Sequence, residues 1–412
     1  MYKKNNKKHC KLKFKLLIYK VNKNIFLIMI NRNIKNTLIE TLEIFPVVCL
    51  LGARQVGKTT LAKILKKQFS NSIYLDLELD TDLAKLEVAE FFLSQYYDKL
   101  VIIDEIQRKP ELFVLMRALI DKNRKPARFL ILGSASGDLL KQSSESLAGR
   151  IAYFELSPFC LGEIELKNFQ KLWSRGGYPE SFLAKNDKLS LLWRKNMIKT
   201  YLERDLPQLN INITSLRLKK LLQMIAHNHG HLLNISLLSK NLDVSTTTVA
   251  NYLDILESTF LIRRIRPYWS NMKKRLIKSP KIYIRDSGLL HALLEITDLD
   301  NLHGSLVLGN SWEGFVIEQL LALNPNQDYC FFRTAAGAEI DLIFLKAGQA
   351  NIAIEIKYSA KIKLSPGFFN AMTDMKIKKA YIIYPGKESY FLQENIKVIS
   401  IYDVFKEPLI NS

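Results

Sequence analysis

The sequence predicts an α/β fold: a parallel sheet with helices on both faces, then a helical segment with a winged-helix pattern, then a small α/β domain. Three observations carry this expectation. Between residues 46 and 156, short apolar runs alternate with helical patterns, as strands joined by crossover helices do. Within that region one apolar run breaks into a glycine-rich turn and continues as a helix, PVVCLLGARQVGKTTLAKIL at 46–65. The last third returns to period-two alternation in GAEIDLIFL (337–345) and NIAIEIKYS (351–359).

Bulk properties narrow the class. With 412 residues and 48% hydrophobic content, the chain can bury two or three cores. The longest apolar run near the start, 25–30, is far shorter than the roughly 18 residues of a membrane span, and lysines at 15, 20 and 23 interrupt a signal core. A cytoplasmic protein with no membrane partner is expected. The four cysteines, Cys10, Cys49, Cys160 and Cys330, lie far apart and form no CxxC, which argues against a zinc site or a disulfide framework. The net charge is +20, and nine lysines without an acid lie in residues 1–28. Such a balance suits nucleic acid or an acidic membrane surface. Lysine, asparagine and isoleucine are abundant throughout, however, so the overall charge alone assigns no partner.

Residues 1–28 read as a basic tail. Met29 opens MINRNIKNTLIETLEIF, an amphipathic helical pattern, and translation from Met29 is the expectation. An ATPase-like region follows over 29–165. In 46–65 the residues Gly52, Ala53, Arg54, Gln55, Val56, Gly57, Lys58, Thr59 and Thr60 fit GxxxxGK[ST] and its flank. Glycines let successive N–H groups point at phosphates, Lys58 reaches the β and γ oxygens, and the Thr59 hydroxyl ligates Mg²⁺. The helix that starts there adds its positive dipole end. Next come a strand in SIYLDLEL (72–79) and another in LVIIDE (100–105), where Asp104 is expected to hold Mg²⁺ through water and Glu105 to polarise the attacking water. The helical pattern 111–123 leads to RFLILGSAS (128–136), whose Ser134 and Ser136 either contact the γ-phosphate or form an ordinary strand-end turn. Arg150, before the strand IAYFEL (151–156), is a candidate for stabilising transition-state charge in its own subunit or a neighbour. No NKxD-type guanine motif follows the fourth strand, so ATP is the expected nucleotide.

Residues 166–212 read as a helical lid or linker. RGGYPE (175–180) marks a tight turn, and the charged helix after it ends near Glu203, Arg204 and Asp205, with Arg204 expected on a solvated face. Over 213–275 the helices ISLLSKNL (235–242) and STTTVANYLDILE (245–257) have winged helix-turn-helix spacing, with Ser245 as N-cap of the second. HNHGH (227–231) spans a helix end at Gly230, which disfavours a metal role. Arg263, Arg264, Arg266, Lys273, Lys274, Arg275, Lys278, Lys281 and Arg285 occur without an acid and alongside Tyr268 and Trp269. This stretch, 263–285, is the expected DNA contact; a plain basic surface is the alternative.

The final segment, 276–412, carries a second constellation. Alternation sends Ile352, Ile354 and Ile356 to one face and Glu355 and Lys357 to the other, and Asp341 on the neighbouring strand can join them. Two carboxylates and a lysine suit Mg²⁺-dependent phosphodiester hydrolysis, with the carboxylates on metal and Lys357 activating water. In the preceding helix Glu313 lies within an apolar stripe and is the expected fourth ligand, while Glu318 lies on the more open side. The alternative is a cross-strand ion pair on a solvated face.

GARQVGKTT, LVIIDEIQ, LGSAS, SLAGRIAYFELSPF, GGYPES, YLERDLP, GAEIDLIF and AIEIKYS together resemble a widespread group of bacterial and archaeal AAA-type P-loop ATPases with a winged helix and a C-terminal PD-(D/E)XK nuclease-like domain. The resemblance covers roughly 29–400. It implies ATP binding and hydrolysis through Lys58, Thr59, Asp104 and Glu105, and a homo-oligomer. Where the last domain keeps the fold without the chemistry, it implies instead an ATP-gated interaction switch.

Overall fold

The structure is a computed structural model that describes residues 17–21, 25–69, 71–134, 137–206, 214–268 and 277–406. Ser136, Lys273, Lys274, Arg275 and Cys10 lie outside the described residues. The chain opens with an antiparallel pair, β1 (Leu17–Val21) and β2 (Ile25–Met29), in which Leu17 faces Met29. The helix expected to run from Met29 therefore begins only at Ile34 and ends at Leu42.

Five parallel strands follow: β3 (Val47–Leu51), β4 (Ile73–Asp76), β5 (Val101–Asp104), β6 (Phe129–Gly133) and β7 (Ile151–Glu155). Their spatial order is β4-β5-β6-β3-β7, so β3, which feeds the glycine-rich turn, lies between β6 and β7. Helices cover both faces, which is why β3, β5 and β6 are buried along their whole length and read as continuous apolar runs. Alternation divides β3 between two cores: Val48 and Leu50 pack with Leu38, Leu61 and Leu65 on one face, whereas Val47, Cys49 and Leu51 pack with Phe113, Met116 and Ile120 on the other. Each such fully buried aliphatic side chain contributes about 1.5–3 kcal/mol relative to exposure.

The middle of the chain is helical: Phe169–Arg175, Asp187–Thr200, Ser215–His227, Ile235–Leu242 and Thr246–Ser258. It closes with an antiparallel ribbon of β8 (Ile262–Ile265) and β9 (Lys281–Ile284) and a helix at Ser287–Leu293. The domain boundary expected at residue 275 thus falls inside the ribbon, because β9 completes it. On β9, Ile282 and Ile284 join the core shared with the first sheet, and Tyr283 joins the core beneath the last domain.

That last domain has the expected order: a helix at Leu308–Leu323, then β10 (Tyr329–Arg333), β11 (Glu339–Lys346) and β12 (Gln349–Ile356), a helix at Pro366–Asp374, and β13 (Lys379–Tyr384). β14 (Tyr390–Gln393) and β15 (Ile396–Ser400) extend the mixed sheet to β10-β11-β12-β13-β15-β14. Ile352, Ile354 and Ile356 pack toward Trp173, Trp312 and Phe315, and Ala353 packs on the opposite face.

Candidate functional site

The turn after β3 lies at the C-terminal edge of the parallel sheet, where open α/β sheets bind ligands. Gly52 has no room for a side chain: a Cβ there would stand 2.5 Å from the Leu156 carbonyl oxygen. Gly57 caps the helix Lys58–Lys66 in a left-handed conformation, φ 99°, and Gln55 is also left-handed. Ala53 and Val56 are buried, Arg54 is half-buried, and Gln55 and Thr60 are exposed. Lys58 is buried, and its Nζ donates to the carbonyls of Gly52 and Ala53, both at 2.9 Å. Burial pulls this ammonium down to about 8, against the attraction of Glu105 and Asp104.

Asp104 ends β5 beside this loop. Its Oδ2 accepts from the Thr59 hydroxyl at 2.6 Å and from the Tyr74 hydroxyl at 2.5 Å. Glu105, next in the chain, adopts φ 57° as the strand turns into a short 3₁₀ helix, and Gln107 donates to its carboxylate. Burial lifts the Glu105 carboxyl above the usual carboxylate range, with Lys58 pulling the other way. Thr59 and Asp104 present hard oxygen donors of the type Mg²⁺ takes, and the glycine cradle leaves the backbone open to phosphates. These residues fit a Mg²⁺–nucleotide.

One residue at this loop was not singled out from sequence. Arg32, buried ahead of the first helix, donates from Nη1 to the Val56 carbonyl at 2.8 Å, from Nη2 to the Ser157 carbonyl at 2.5 Å, and from Nε to Glu163 at 3.0 Å. It fixes the back of the loop. The only local signal is a lone acid, Glu163, in the apolar run FCLGEI. Arg150 lies elsewhere. Its carbonyl accepts from Val47 N, the first residue of β3, and its guanidinium pairs with Asp121. A parallel strand enters at one edge and leaves at the other, so Arg150 stands about 13 Å of strand below the loop and cannot serve the site of its own subunit. Ser134, half-buried, follows β6 at the loop edge.

The second constellation also converges. Leu342 pairs with Ile354 across β11 and β12, so Asp341 comes beside Glu355, and Asp341 Oδ2 accepts from Ile356 N at 2.9 Å. Lys357 Nζ reaches Glu355 Oε1 at 2.6 Å. Glu355 Oε2 is buried without a partner. Burial, reinforced by Asp341, lifts Glu355 to about 8 against the pull of Lys357. Glu313 joins from its helix, but what it meets is a cation of the chain itself: Lys281 Nζ lies 3.0 Å from Glu313, 2.7 Å from Glu339 and 3.4 Å from Asp341. Tyr283 OH donates to the same Glu313 oxygen at 2.5 Å. Of the oxygens expected on metal, Glu313 Oε1 and Asp341 Oδ1 face the Lys281 ammonium, Asp341 Oδ2 faces the Ile356 N–H and Glu355 Oε1 faces Lys357, while Glu355 Oε2 makes no hydrogen bond. Among the described residues no group of three or more acids, histidines or cysteines has the arrangement of a metal site. The donor set does not fit Mg²⁺ beside Lys281.

Comparison with known proteins shows what the chain is similar to. An AAA domain profile matches residues 45–165, a domain of unknown function (DUF8612) matches 166–300, and another (DUF4143) matches 308–404. Uncharacterized protein Rv2008c of Mycobacterium tuberculosis is 41% identical over 354 residues, covering 86% of this chain and 80% of that protein. The chain belongs to that AAA-domain family. An uncharacterized protein of Methanocaldococcus jannaschii, MJ1637, is 24% identical over 82% of this chain and 80% of its own length. The Walker-type ATPase PABY2304 of Pyrococcus abyssi is similar with a TM-score of 0.46 and 18% identity, covering 65% of this chain and 96% of that one.

In this AAA-family chain the basic stretch 263–285 differs from its sequence appearance. Arg263 pairs with Glu318 and donates to the Tyr329 hydroxyl at 2.7 Å. Arg264 pairs with Asp254 and Glu257 on the preceding helix. Arg285 joins Glu318 at 3.1 Å and also Glu155 at the end of β7. With Lys281, at least four of the described cations of the stretch pair with acids of the chain itself, Arg264 with acids seven and ten positions back and the other three with acids remote in sequence. Glu318, expected on the open side of its helix, is instead enclosed by Arg263 and Arg285. Arg266 is exposed, as are Glu203 and Arg204. Ser245 caps its helix by accepting from Thr248 N at 3.0 Å. His229 is a buried core residue whose Nδ1 accepts from Ile284 N at 3.0 Å. Cys49, Cys160 and Cys330 are buried free thiols. Among the described residues no helix is long and apolar enough to cross a membrane.

Proposed function

We propose that the chain binds ATP at residues 52–60 and hydrolyses it, and that nucleotide state is transmitted to the C-terminal domain. The observation that carries this reading is the convergence of buried Lys58, Thr59 and Asp104 on a glycine cradle with no room for a Cβ at Gly52. On binding, Lys58 exchanges the Gly52 and Ala53 carbonyls for phosphate oxygens, and the loop N–H groups and the helix N-terminus take the remaining charge. Thr59 and Asp104 would hold Mg²⁺, which when bound neutralises charge on the β- and γ-phosphates. Glu105, with its carboxyl shifted toward neutral pH by burial, accepts a proton from the attacking water, and Gln107 fixes its orientation. Arg150 can reach a nucleotide only across an interface between copies of the chain, consistent with a homo-oligomer.

Transmission would start in the sheet's strand pairing and continue through ion pairs. Glu155 pairs with Leu51 in the sheet, immediately before the cradle, and its carboxylate holds Arg285, which holds Glu318 on the helix of the last domain. The test is direct. Lys58→Ala is expected to abolish binding of a fluorescent ATP analogue, and Glu105→Gln to retain binding while phosphate release falls by roughly 10²–10⁴, the scale of a lost general base. Unchanged release in Glu105→Gln would overturn the assignment of the base.

A second reading adds duplex DNA as partner. It is favoured by the helices Ile235–Leu242 and Thr246–Ser258 with the capped turn at Ser245 and the β8–β9 ribbon, a winged-helix order. In this reading the C-terminal domain keeps a nuclease-like strand order, with Asp341, Glu355 and Lys357 together. Because the donors beside Lys281 do not fit Mg²⁺, DNA is bound and not cut in this reading; plasmid nicking in Mg²⁺ that disappears in an Asp341→Ala, Glu355→Ala double variant would overturn it.

A further inference from the structure

We infer that Lys281 is the resident cation of the C-terminal acidic socket: its ammonium fills the point among Glu313, Glu339 and Asp341 where a divalent ion would sit, and so fastens the β8–β9 ribbon to the last sheet. The inference is independent of nucleotide turnover.

The geometry begins with alternation on β9. Ile282 and Ile284 face the core shared with the first sheet, which sends Lys281 and Tyr283 to the other side, where both meet Glu313. The backbone of Lys281 is held as well, bridged to Leu232 ahead of the helix-turn-helix. Its side chain is almost wholly buried, 3% exposed, and touches three carboxylates within 3.4 Å. A buried ammonium is costly unless its charge and its three protons are matched, and here three acceptors stand around three donors. Local charge is nearly matched too: Glu313, Glu339, Asp341 and Glu355 face Lys281, Lys357 and Arg333. Mg²⁺ requires oxygens at about 2.0–2.1 Å in octahedral order. It would draw on carboxylate oxygens that already face Lys281, against the repulsion of the ammonium. The ammonium and the metal are mutually exclusive occupants.

Lys281 is contributed by the ribbon, and its partners by the last domain, so the socket joins two parts of the chain. Removing the ammonium leaves the carboxylates unscreened and open to a hard cation.

The experiment uses full-length, nucleotide-free protein and Mn²⁺, followed by the loss of the free-ion paramagnetic resonance signal. Wild type is expected to bind no Mn²⁺ at the socket, and Lys281→Met to bind one equivalent at least tenfold more tightly than wild type takes any Mn²⁺. That gain should vanish when Asp341→Asn is added. One Mn²⁺ bound by wild type and lost in Asp341→Asn would overturn the proposal. Because Lys281→Met leaves buried carboxylates unpaired, its urea midpoint should fall, and adding Glu313→Gln should recover at least half the loss. A midpoint that does not fall, or one that Glu313→Gln fails to recover, would equally overturn it.

Discussion

Replacing Glu318 by glutamine tests the ion-pair network that joins the ATPase sheet to the last domain. Glu318 accepts from Arg263 through both oxygens and from Arg285 at 3.1 Å, and the three side chains are 14%, 15% and 9% exposed. Burial pushes the Glu318 carboxyl upward, but Arg263 and Arg285 outweigh it and hold it below the usual range. Glutamine keeps the shape and removes the charge. Arg263 then keeps only neutral acceptors at close range, the glutamine carbonyl oxygen and the Tyr329 hydroxyl, and Arg285 retains Glu155, whose side chain is more than a third exposed and screened by water. Leaving a buried charge uncompensated costs about 3–5 kcal/mol. Urea unfolding followed by tryptophan fluorescence reads this loss, since Trp312 lies on the same helix as Glu318 and, like Trp173, is fully buried. The double variant Arg263→Met, Glu318→Met, which replaces the pair by apolar groups, should lose at least 2 kcal/mol less than the two single variants summed. With a folded carboxyl below its unfolded value near 4.3, the pair's contribution is complete above about pH 4.3 and is lost as pH falls through the folded value. A loss below 1 kcal/mol for Glu318→Gln, or strict additivity in the cycle, would refute the network as a structural link.

Two further outcomes follow from neutralised or buried charge. If the 263–285 stretch binds duplex DNA, withdrawing the four internally paired cations from its nine caps the salt slope at about −4.5, a loss of at most about 500-fold between 50 and 200 mM salt, whereas all nine would give nearly 10⁵-fold; fluorescence anisotropy across that range distinguishes them. His291, whose Nδ1 faces the Ser174 carbonyl and whose Nε2 faces the Ser311 hydroxyl, is pushed by burial down to about 4. Its contribution is present above pH 6.5 and lost as pH falls toward 4, about 1 kcal/mol between pH 6.5 and 5.5. Asp286, lifted by burial to about 6, and Glu355 work in the opposite sense. The comparison is therefore with His291→Asn, whose stability should fall about 1 kcal/mol less than wild type over that interval; equal falls would remove His291 as the cause.

The nucleotide loop was legible because its chemistry is local. Gly52 to Thr60 are nine consecutive residues, so the glycine turn and the Lys58 and Thr59 side chains fall in one window, and Asp104 announces itself as an acid ending an apolar strand. Asp341, Glu355 and Lys357 were legible through period two alone, since a strand pair has few registers that keep Ile352, Ile354 and Ile356 inside. What failed was charge whose partner is remote. Arg32 and Glu163 are 131 positions apart, and Lys281 meets acids 32 to 60 positions downstream, so a window containing only the cations reads as a free basic surface. Alternation in KIYIR did carry a hint, because a lysine sharing the face of Tyr283 on a buried strand requires an acceptor. For Arg150 direction decides between the two expected roles: the residue before a parallel strand stands at the edge opposite the strand's ligands, which leaves the role in a neighbouring subunit and not the one in its own.

The turn RGGYPE has a consequence for how this chain can diverge. A Cβ on Gly176 would stand 2.1 Å from the Asp286 carboxylate, one on Gly177 would stand 2.3 Å from the Phe159 carbonyl, and one on Gly288 would stand 2.1 Å from the Arg175 carbonyl. Asp286 in turn bonds Gly177 N at 2.8 Å and Leu289 N at 2.9 Å. The volume that side chains would take is already filled, at Gly176 by Asp286, at Gly288 by the Arg175 backbone and at Gly177 by the Phe159 backbone, so with Asp286 these positions form one evolutionary character. A change at any of them must await a change at its partner, and descendants that alter the aspartate should be those in which the paired glycines have also been released.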